Sequence, residues 1–479
     1  MSNSMKKDKE LLYLVIYLLI AFSGWFITPP EPITVAGMRL ITVFFAAIFG
    51  WIVTSGVWVA VVTMILLPFT GMTTLTGMLG TGLGADIVLF TILLFAFVAF
   101  MEEIGVTNYV AAFMLTRKSL LGHPWRLMFV LFFVSWLLST FCGNTAGMFI
   151  TWAFIYKIVT ILGYKPFEKV PNLLIFGVAV MGALSLSSVP WGKNSVVILA
   201  AYTASSGQII NNAHYLLYSV PVCIFSILAF LLMCKVLFRM DVSRLKEFNP
   251  NVFSSEDLEL TFVRKVTLIA FGLLIVWFIV PDLLPAGNII RVISAQMGLS
   301  LKMAVLIVFV SFLRVDGKPV FNFAKYAKQG VPWNVLMMIL VILNFVGLVG
   351  NANAGISAWI AQTFTPMFAH IPPALFLFIV LALTVLLTNF MVNVVVATLM
   401  ITAAVPIAQG LMIDPLQIVY MVTLGCTIAF MLPSASPASL LLFSNTDWIR
   451  SKDVYQYALP TIIVFTLITF AWAVVVFAF

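Results

Sequence analysis

The chain has 479 residues, of which 63% are hydrophobic and 9% are charged, and its mean hydropathy is +1.14. Soluble domains carry about 25% charged residues, so this composition excludes a soluble globular protein and indicates an integral membrane protein. The formal net charge of +8 requires no nucleic-acid partner, because basic loops on one side of a membrane account for it.

Apolar segments of roughly 20 residues, the length that crosses a bilayer as a helix, recur along the chain. The first half contains predicted spans at 11–28, 36–54, 56–71 and 87–105, a helical hairpin at 127–162, a broken helix at 173–203 and a span at 213–236. The second half contains spans at 266–283, 295–313 and 332–350, a hairpin at 373–409, a broken helix at 416–446 and a span at 456–478. With both hairpins counted as re-entrant, the sequence predicts an all-α polytopic membrane protein with about eleven transmembrane helices.

The two halves share the order of spans, hairpin and broken helix. The first unit crosses the membrane an odd number of times, so the second unit begins on the opposite side, which is the arrangement of an inverted-topology repeat. The predicted boundaries are an N-terminal tail with the first span at 1–35, a first repeat at 36–236, a cytoplasmic linker at 237–265 and a second repeat at 266–479.

The placement of basic residues gives the orientation. If the N-terminus is cytoplasmic, Arg39, Arg291 and Lys302 lie on or near the outer side and Lys193 lies within the membrane, while the other 21 of the 25 Lys and Arg residues lie on the inner side. We therefore predict a multi-pass protein of the plasma or inner cell membrane with a cytoplasmic N-terminus.

A polar motif that interrupts the apolar sequence occurs twice. Residues 138–145 read LSTFCGNT and residues 387–394 read LTNFMVNV, with asparagines Asn144 and Asn393 at the same position. Each motif is followed by a glycine and then, eight residues later, a proline, at 182–190 and at 425–433. Non-helical backbone at membrane depth is tolerated where it lines a cavity. Paired breaks in two halves therefore indicate the substrate site of a transporter.

Asparagine amides and serine or threonine hydroxyls at such breaks can donate to a carboxylate or ligate a cation, and helix N-termini there favour an anion. The predicted substrate-binding residues are Asn144, Thr145, Lys193, Asn393, Ser436 and Ser439. The predicted cation-binding residues are Ser139, Gly143, Asn144, Thr388 and Asn393. The alternative is that these groups only hydrogen-bond neighbouring helices, as polar residues in membranes often do.

The breaks also carry a family resemblance. The stretch GCTIAFMLP at 425–433, followed by SASP, resembles a motif of the divalent anion/sodium symporter family, and Pro332-Trp333 is similar to the entry to the ninth span in that family. The hairpin tips at 143–145 and 392–394 align with its Ser-Asn-Thr motifs. The resemblance implies an eleven-span homodimer with an elevator mechanism that carries dicarboxylates, tricarboxylates or sulfate, usually with sodium.

We accordingly predict a secondary active transporter of C4 or C5 dicarboxylates such as succinate, malate or 2-oxoglutarate, working by sodium-coupled symport or by exchange. The alternatives are a sulfate or tricarboxylate transporter of the same family, or an anion channel. No nucleophile and base are paired at the breaks, so an enzyme is not predicted. The predicted partners are the bilayer, the small anion and a second copy of the chain, with no nucleic acid. No cofactor is predicted beyond Na⁺ as a coupling ion, and proton coupling is left open.

Lys193 departs from the family pattern, which has a threonine there. A charge at membrane depth is costly and is usually functional. We predict that Lys193 faces the cavity, where its ammonium binds a substrate carboxylate or takes the place of a sodium ion. Either role predicts weaker sodium dependence and favours exchange. The alternative is an ion pair with a buried acid, for which Glu102 and Asp447 are the candidates, or extension of the side chain to a membrane interface.

Overall fold

The computed structural model describes residues 3–54, 56–206, 208, 210–249, 258–285, 287–315 and 317–477. Within these ranges all the regular secondary structure is helical except for one short antiparallel pair of strands, β1 Arg314–Val315 and β2 Lys318–Pro319. The helices of the first half are α1 Asn3–Ser23, α2 Val35–Val53, α3 Trp58–Phe69, α4 Leu75–Leu83, α5 Asp86–Glu103, α6 Val106–Leu115, α7 Pro124–Cys142, α8 Asn144–Ile161, α9 Lys169–Leu184, α10 Ser195–Ser206 and α11 Asn212–Val236.

The helices of the second half are α12 Phe262–Leu283, α13 Ile289–Phe312, α14 Phe323–Gly330, α15 Trp333–Val349, α16 Ile356–Phe368, α17 Pro373–Thr388, α18 Asn393–Gly410, α19 Pro415–Gly425, α20 Pro437–Ser444 and α21 Ser451–Phe477. Among the described residues, eight helices are long and apolar enough to cross a membrane, and up to eleven spans result if each of three bent helix pairs counts as one. The predicted all-α polytopic fold is confirmed.

Some predicted boundaries differ from the structure. The predicted span at 56–71 contains only the 12-residue helix α3, which at 1.5 Å per residue is about 18 Å long and shorter than the hydrocarbon core. Helices α4, α6, α14 and α16 lie in segments that the sequence reading left between spans. Short helices give a weak hydropathy signal, and α14 is amphipathic, with Lys325 and Lys328 among its eight residues.

Two hydrogen bonds join the ends of helices that are far apart in the sequence. The main-chain N–H of Asn212, at the start of α11, donates to the Asp282 carboxylate near the end of α12, at 2.9 Å. The side chain of Asn172 on α9 donates to Asp453 on α21, at 3.2 Å. Each bond joins segments that the sequence reading put on the same side of the membrane.

The hairpins α7–α8 and α17–α18 pack against the broken helices α9–α10 and α19–α20. Helix α9 lies in the middle of this group, and all its residues from Val170 to Leu184 are buried. The broken helices contact each other reciprocally, since α20 packs on α9 and α10 packs on α19. The breaks in both helices therefore lie near the centre of the protein.

Candidate functional site

The tip of the second hairpin is fastened to the second break. The Nδ2 group of Asn389 donates to the main-chain oxygen of Ile428 at 2.9 Å. Its Oδ1 atom accepts from the main-chain N–H groups of Phe430 at 3.1 Å and Met431 at 2.8 Å. One buried side chain thus satisfies three main-chain groups that the end of α19 leaves without helical partners.

The predicted cation residues at this tip contact each other. The hydroxyl of Thr388 lies 3.1 Å from Oδ1 of Asn393 and 2.6 Å from the main-chain oxygen of Cys426. Both side chains are buried. Thr388 therefore holds the first residue of α18 against the end of α19.

The tip of the first hairpin is likewise hydrogen-bonded to the first break, through different side chains. Its arms meet at Gly143, whose φ of 89° is a conformation that favours glycine. The Nδ2 group of Asn144 donates to the main-chain oxygen of Gly182 at 3.0 Å, and the hydroxyl of Ser139 lies 3.4 Å from the main-chain oxygen of Asn144. The hydroxyls of Thr140 and Ser188 are 3.0 Å apart.

The carbonyl groups of the first break are bonded within the protein. The hydroxyl of Tyr215 donates to the oxygen of Ser187 at 2.7 Å, and that of Ser219 donates to the oxygen of Ser188 at 2.8 Å. The hydroxyl of Ser195 donates to the oxygen of Val189. These bonds satisfy buried backbone groups between α9 and α10.

The second break turns into α20 through two serines. The hydroxyls of Ser436 and Ser439 both donate to the main-chain oxygen of Ala429, at 2.8 Å and 3.0 Å. Ser436 is also the N-cap of α20 and accepts from the N–H of Ser439 at 3.1 Å. The two hydroxyl groups thereby hold the break against the start of α20.

A cavity of about 600 Å³ lies beside the two breaks and the second hairpin tip. Its lining comes from the α2–α3 connection, both breaks, the start of α15 and the tip of the second hairpin. The polar lining residues are Thr54, Lys193, Asn194, Asn334, Asn393, Ser434 and Ser436.

Five helices begin at this cavity, namely α3, α10, α15, α18 and α20. Each contributes a lining residue within two positions of its first residue, such as Asn194 for α10 and Asn334 for α15. Helix N-termini carry a partial positive charge of about half an elementary charge and present unpaired N–H groups. The C-terminal end of α2, at Trp51 and Thr54, contributes the opposite partial charge. The five N-termini outweigh it, so the wall of the cavity is electropositive on balance.

Lys193 is the only charged residue in the described lining of this cavity. It follows Pro190, Trp191 and Gly192 in the turn between α9 and α10. Within the described ranges its ammonium has no hydrogen-bond or ion-pair partner. The two acids considered as partners from the sequence, Glu102 and Asp447, form no ion pair with it.

Of the nine residues predicted from the sequence to bind substrate or cation, Lys193, Asn393 and Ser436 line the cavity together. The others lie outside its lining: Ser139, Gly143, Asn144, Thr145, Thr388 and Ser439. The sequence reading did not select Asn194, Asn334 or Asn389. Asn194 directly follows Lys193, and Asn334 directly follows Pro332-Trp333, so the sequence alone could have identified both as candidate site residues. Asn389 lies within the repeated motif, where the first half has Thr140.

Comparison with known proteins gives a family match over most of the chain. A family model described as citrate transporter matches residues 44–425. Solute carrier family 13 member 2 of Mus musculus is 32% identical over 120 residues, which are 25% of this chain and 20% of that protein. The Na⁺/dicarboxylate cotransporter 3 of Mus musculus is 30% identical over 135 residues, covering 28% of this chain and 22% of that protein. The Na⁺/citrate cotransporter of Rattus norvegicus is 26% identical over 214 residues, covering 39% and 36%.

Two solved structures share the fold. The Alcanivorax borkumensis YdaH transporter, described as having an unusual topology, aligns with a TM-score of 0.55 and 15% identity over 83% of this chain and 86% of that one. Neisseria gonorrhoeae MtrF, described among antimetabolite efflux pumps, aligns with a TM-score of 0.57 and 13% identity over 98% and 94%. The matched parts of the curated relatives are a fifth to about a third of their lengths.

Proposed function

We propose that this chain, which belongs to the citrate transporter family within the divalent anion/sodium symporters, is a multi-pass secondary transporter and not an enzyme. From this premise we propose that it carries small organic anions with two or three carboxylates, with C4 and C5 dicarboxylates as the preferred substrates.

The observation that carries this proposal is the electropositive cavity. One unpaired ammonium and five helix N-termini converge on about 600 Å³, and its described lining contains no acidic side chain. This charge pattern stabilises an anion and repels a cation. A neutral substrate of the same size would leave the ammonium without a charged partner, which costs free energy in a desolvated site. The volume lies within the range of roughly 300–1,000 Å³ that is usual for small-molecule sites.

The polar groups are distributed so that two carboxylates can be bound at once. Lys193 and Asn194 lie on the wall made by the first break, and Ser434 and Ser436 lie on the wall made by the second break. Asn393 and Asn334 contribute amides from two further helices. We infer that Lys193 holds one carboxylate and that the serine and asparagine groups hold the other.

The printed names of two relatives describe sodium cotransport, and sodium is the coupling ion that fits this family. We propose that Lys193 supplies a fixed positive charge where relatives of the family use an ion, so that sodium dependence is weaker and exchange is favoured. The oxygens of Thr388 and Asn393, 3.1 Å apart, are the proposed remaining cation ligands, with Ser139, Gly143 and Asn144 as the corresponding set in the first hairpin.

The location of the cavity supports an elevator mechanism. The α2–α3 connection and the start of α15 line one side, and the hairpin tip and the two breaks line the other. We propose that the hairpins and broken helices move as a unit against α2, α3 and α15. Since the predicted orientation puts the α2–α3 connection in the cytoplasm, this arrangement corresponds to an inward-facing state.

Uptake into proteoliposomes tests the proposed substrates. The purified protein is reconstituted, and uptake of succinate, malate, 2-oxoglutarate, citrate and sulfate is measured with and without a sodium gradient and with each anion inside. We expect saturable uptake of the carboxylates that is accelerated by internal carboxylate. Preference for sulfate, or flux that does not saturate and shows no counterflow, would contradict the proposal.

A further inference from the structure

Helices α11 and α12 are neighbours that pack into different parts of the protein. Helix α11 is bonded to the first break, where the hydroxyls of Tyr215 and Ser219 donate to Ser187 and Ser188, and it packs along α7, α9, α19 and α21. Helix α12 packs on α13, which packs on α5. In the proposed elevator mechanism, on which this inference rests, α11 therefore belongs to the moving unit and α12 belongs to the frame.

One aspartate joins the ends of these two helices on the predicted outer side of the membrane. Asp282 is partly buried near the end of α12. Its Oδ2 atom accepts from the main-chain N–H of Asn212, the first residue of α11, at 2.9 Å. Its main-chain oxygen accepts from Nδ2 of Asn211 at 3.4 Å. The N–H of Asn212 has no partner inside α11, and the helix N-terminus favours a negative charge, so the carboxylate suits this position.

The end of α12 is also held from within the frame. Lys302 on α13 interacts electrostatically with Asp282 and with Asp86 on α5. Arg291, near the start of α13, donates to the main-chain oxygen of Leu284 at 2.6 Å. These interactions involve α5, α12 and α13, so they persist when α11 moves. The bonds from Asp282 to the start of α11 cross the boundary between the two parts and do not persist.

Two aromatic contacts along the same boundary differ from these bonds in kind. Trp191 of the first break packs on Phe278 of α12 with the ring centres 5.0 Å apart, and Phe141 of α7 packs on Phe271 of α12 at 5.5 Å. Apolar contacts are non-directional, so such surfaces can slide over one another. A hydrogen bond is lost within a few tenths of an ångström beyond its normal length. A shift of α11 by one helical turn, about 5.4 Å, therefore breaks the bond to Asp282.

We propose that Asp282 is a latch that holds the moving unit in the inward-facing state. The carboxylate binds the start of α11 in that state alone. A contact made in only one of two states shifts the population toward that state. The latch must open before the moving unit can reach the outward-facing state, so Asp282 sets how much of the empty carrier faces the cytoplasm.

Asn212→Pro opens the latch with little effect on the helix. Proline is well tolerated at the first position of a helix, where the N–H has no helical partner. Asn211 has φ −78° and ψ 113°, which is the extended conformation that a residue before proline prefers. The matched control is Ile289→Pro at the first position of α13, which also follows an extended asparagine cap. The N–H of Ile289 forms no hydrogen bond with the described residues.

A thiol at Leu440 on α20, in the cavity lining, reports the position of the moving unit. Leu440→Cys is combined with each proline variant in the full-length protein. A membrane-impermeant maleimide is applied to the outer or the cytoplasmic face of oriented membrane vesicles in the absence of substrate. We expect the ratio of outer to cytoplasmic labelling rates to rise roughly tenfold or more with Asn212→Pro and to stay unchanged with Ile289→Pro.

An unchanged labelling ratio with Asn212→Pro would overturn the latch. If that variant does not fold, Asp282→Asn carries the test, because it keeps the shape of the side chain and removes its charge; a rise in the ratio supports the latch and no rise overturns it. Labelling from the cytoplasmic face alone in every variant would overturn the moving unit and the latch with it. Dicarboxylate uptake is measured separately, so a failure of the proposed substrate is distinguished from a failure of the latch.

Discussion

At the residue scale, Lys193 and Asn389 show two different uses of a polar side chain at membrane depth. Lys193 has no partner among the described residues and lines the cavity beside the two breaks, so it is available to a ligand. Asn389 bonds to three main-chain groups of the second break and to the main-chain oxygen of Val385 one turn earlier, so it contributes to the shape of the site. Substitution of Lys193 is therefore expected to affect substrate binding, and substitution of Asn389 is expected to affect stability.

Lys193→Met removes the ammonium and keeps a side chain of similar length. Because a hydrogen bond to a charged group contributes about 1.5–3 kcal/mol, we expect the KM for dicarboxylate uptake to rise roughly tenfold or more. Lys157→Met, which removes an exposed lysine on α8, is the control and should transport normally. Unchanged KM and unchanged sodium dependence in Lys193→Met would contradict the role of Lys193.

Asn389→Ala leaves the carbonyl of Ile428 and two main-chain N–H groups unsatisfied in a buried region. Each buried unsatisfied group costs about 1–3 kcal/mol, so we expect a clear fall in melting temperature. The control is Thr384→Ala on the same helix, where the lost hydroxyl bonds only to Val380 one turn earlier. Melting of the detergent-solubilised variants checks this, and an equal effect of the two substitutions would contradict it.

The sequence predicted the part of the site where polar residues interrupt apolar helices. Lys193, Asn393 and Ser436 stand out because such residues are rare at membrane depth, and all three line the cavity. Asn144 matches Asn393 in sequence, but its amide bonds to the oxygen of Gly182 and it lies outside the cavity lining. Sequence spacing identifies both tips, whereas only the packing of the hairpins determines which tip meets the cavity.

At the element scale, the hairpins and the breaks are built around close backbone approaches. In the first hairpin, a Cβ atom on Gly147 of α8 would lie 2.5 Å from the main-chain nitrogen of Ser139 on α7. The two arms therefore pack at a distance that no larger residue allows. This contact holds the two arms together next to the tip formed by Gly143 and Asn144.

Gly147→Ala is expected to push the arms of the hairpin apart, because the obstructing atom belongs to the backbone. Overpacking of this kind costs about 1–3 kcal/mol, and we expect lower stability together with reduced transport. Gly272→Ala on α12 is the control, since nothing lies within 4 Å of the added Cβ and alanine favours the helix by up to about 1 kcal/mol. Equal melting temperatures for the two variants would contradict this packing argument.

The elements that the sequence reading missed are short or amphipathic. Helices α6 and α16 have 10 and 13 residues and join long helices to the hairpins, so no stretch of spanning length marks them. The bend of 119° between α16 and α17 likewise has no hydropathy signal. Long apolar segments were predicted well because the thickness of the bilayer sets their length. The lengths and positions of the connecting helices depend instead on tertiary packing.

At the scale of the whole molecule, the proposed transport cycle needs a moving unit and a fixed frame. The hairpins and broken helices pack on one another around α9, and we propose that a homodimer provides the frame. Mass measurement in mild detergent should therefore give two chains over a concentration series. Only monomers across that series would contradict the dimer, while the substrate site within each chain would be unaffected.

The central claim is that the electropositive cavity beside the two breaks is where the carboxylate substrate binds. Substrate protection of an introduced thiol tests this most directly. Leu440→Cys puts the thiol in the cavity lining, and Thr145→Cys puts it outside that lining at the first hairpin tip. We predict that succinate or citrate slows maleimide labelling of Leu440→Cys in a saturable way and leaves Thr145→Cys unchanged. Saturable protection of Thr145→Cys with none at Leu440→Cys would contradict the account.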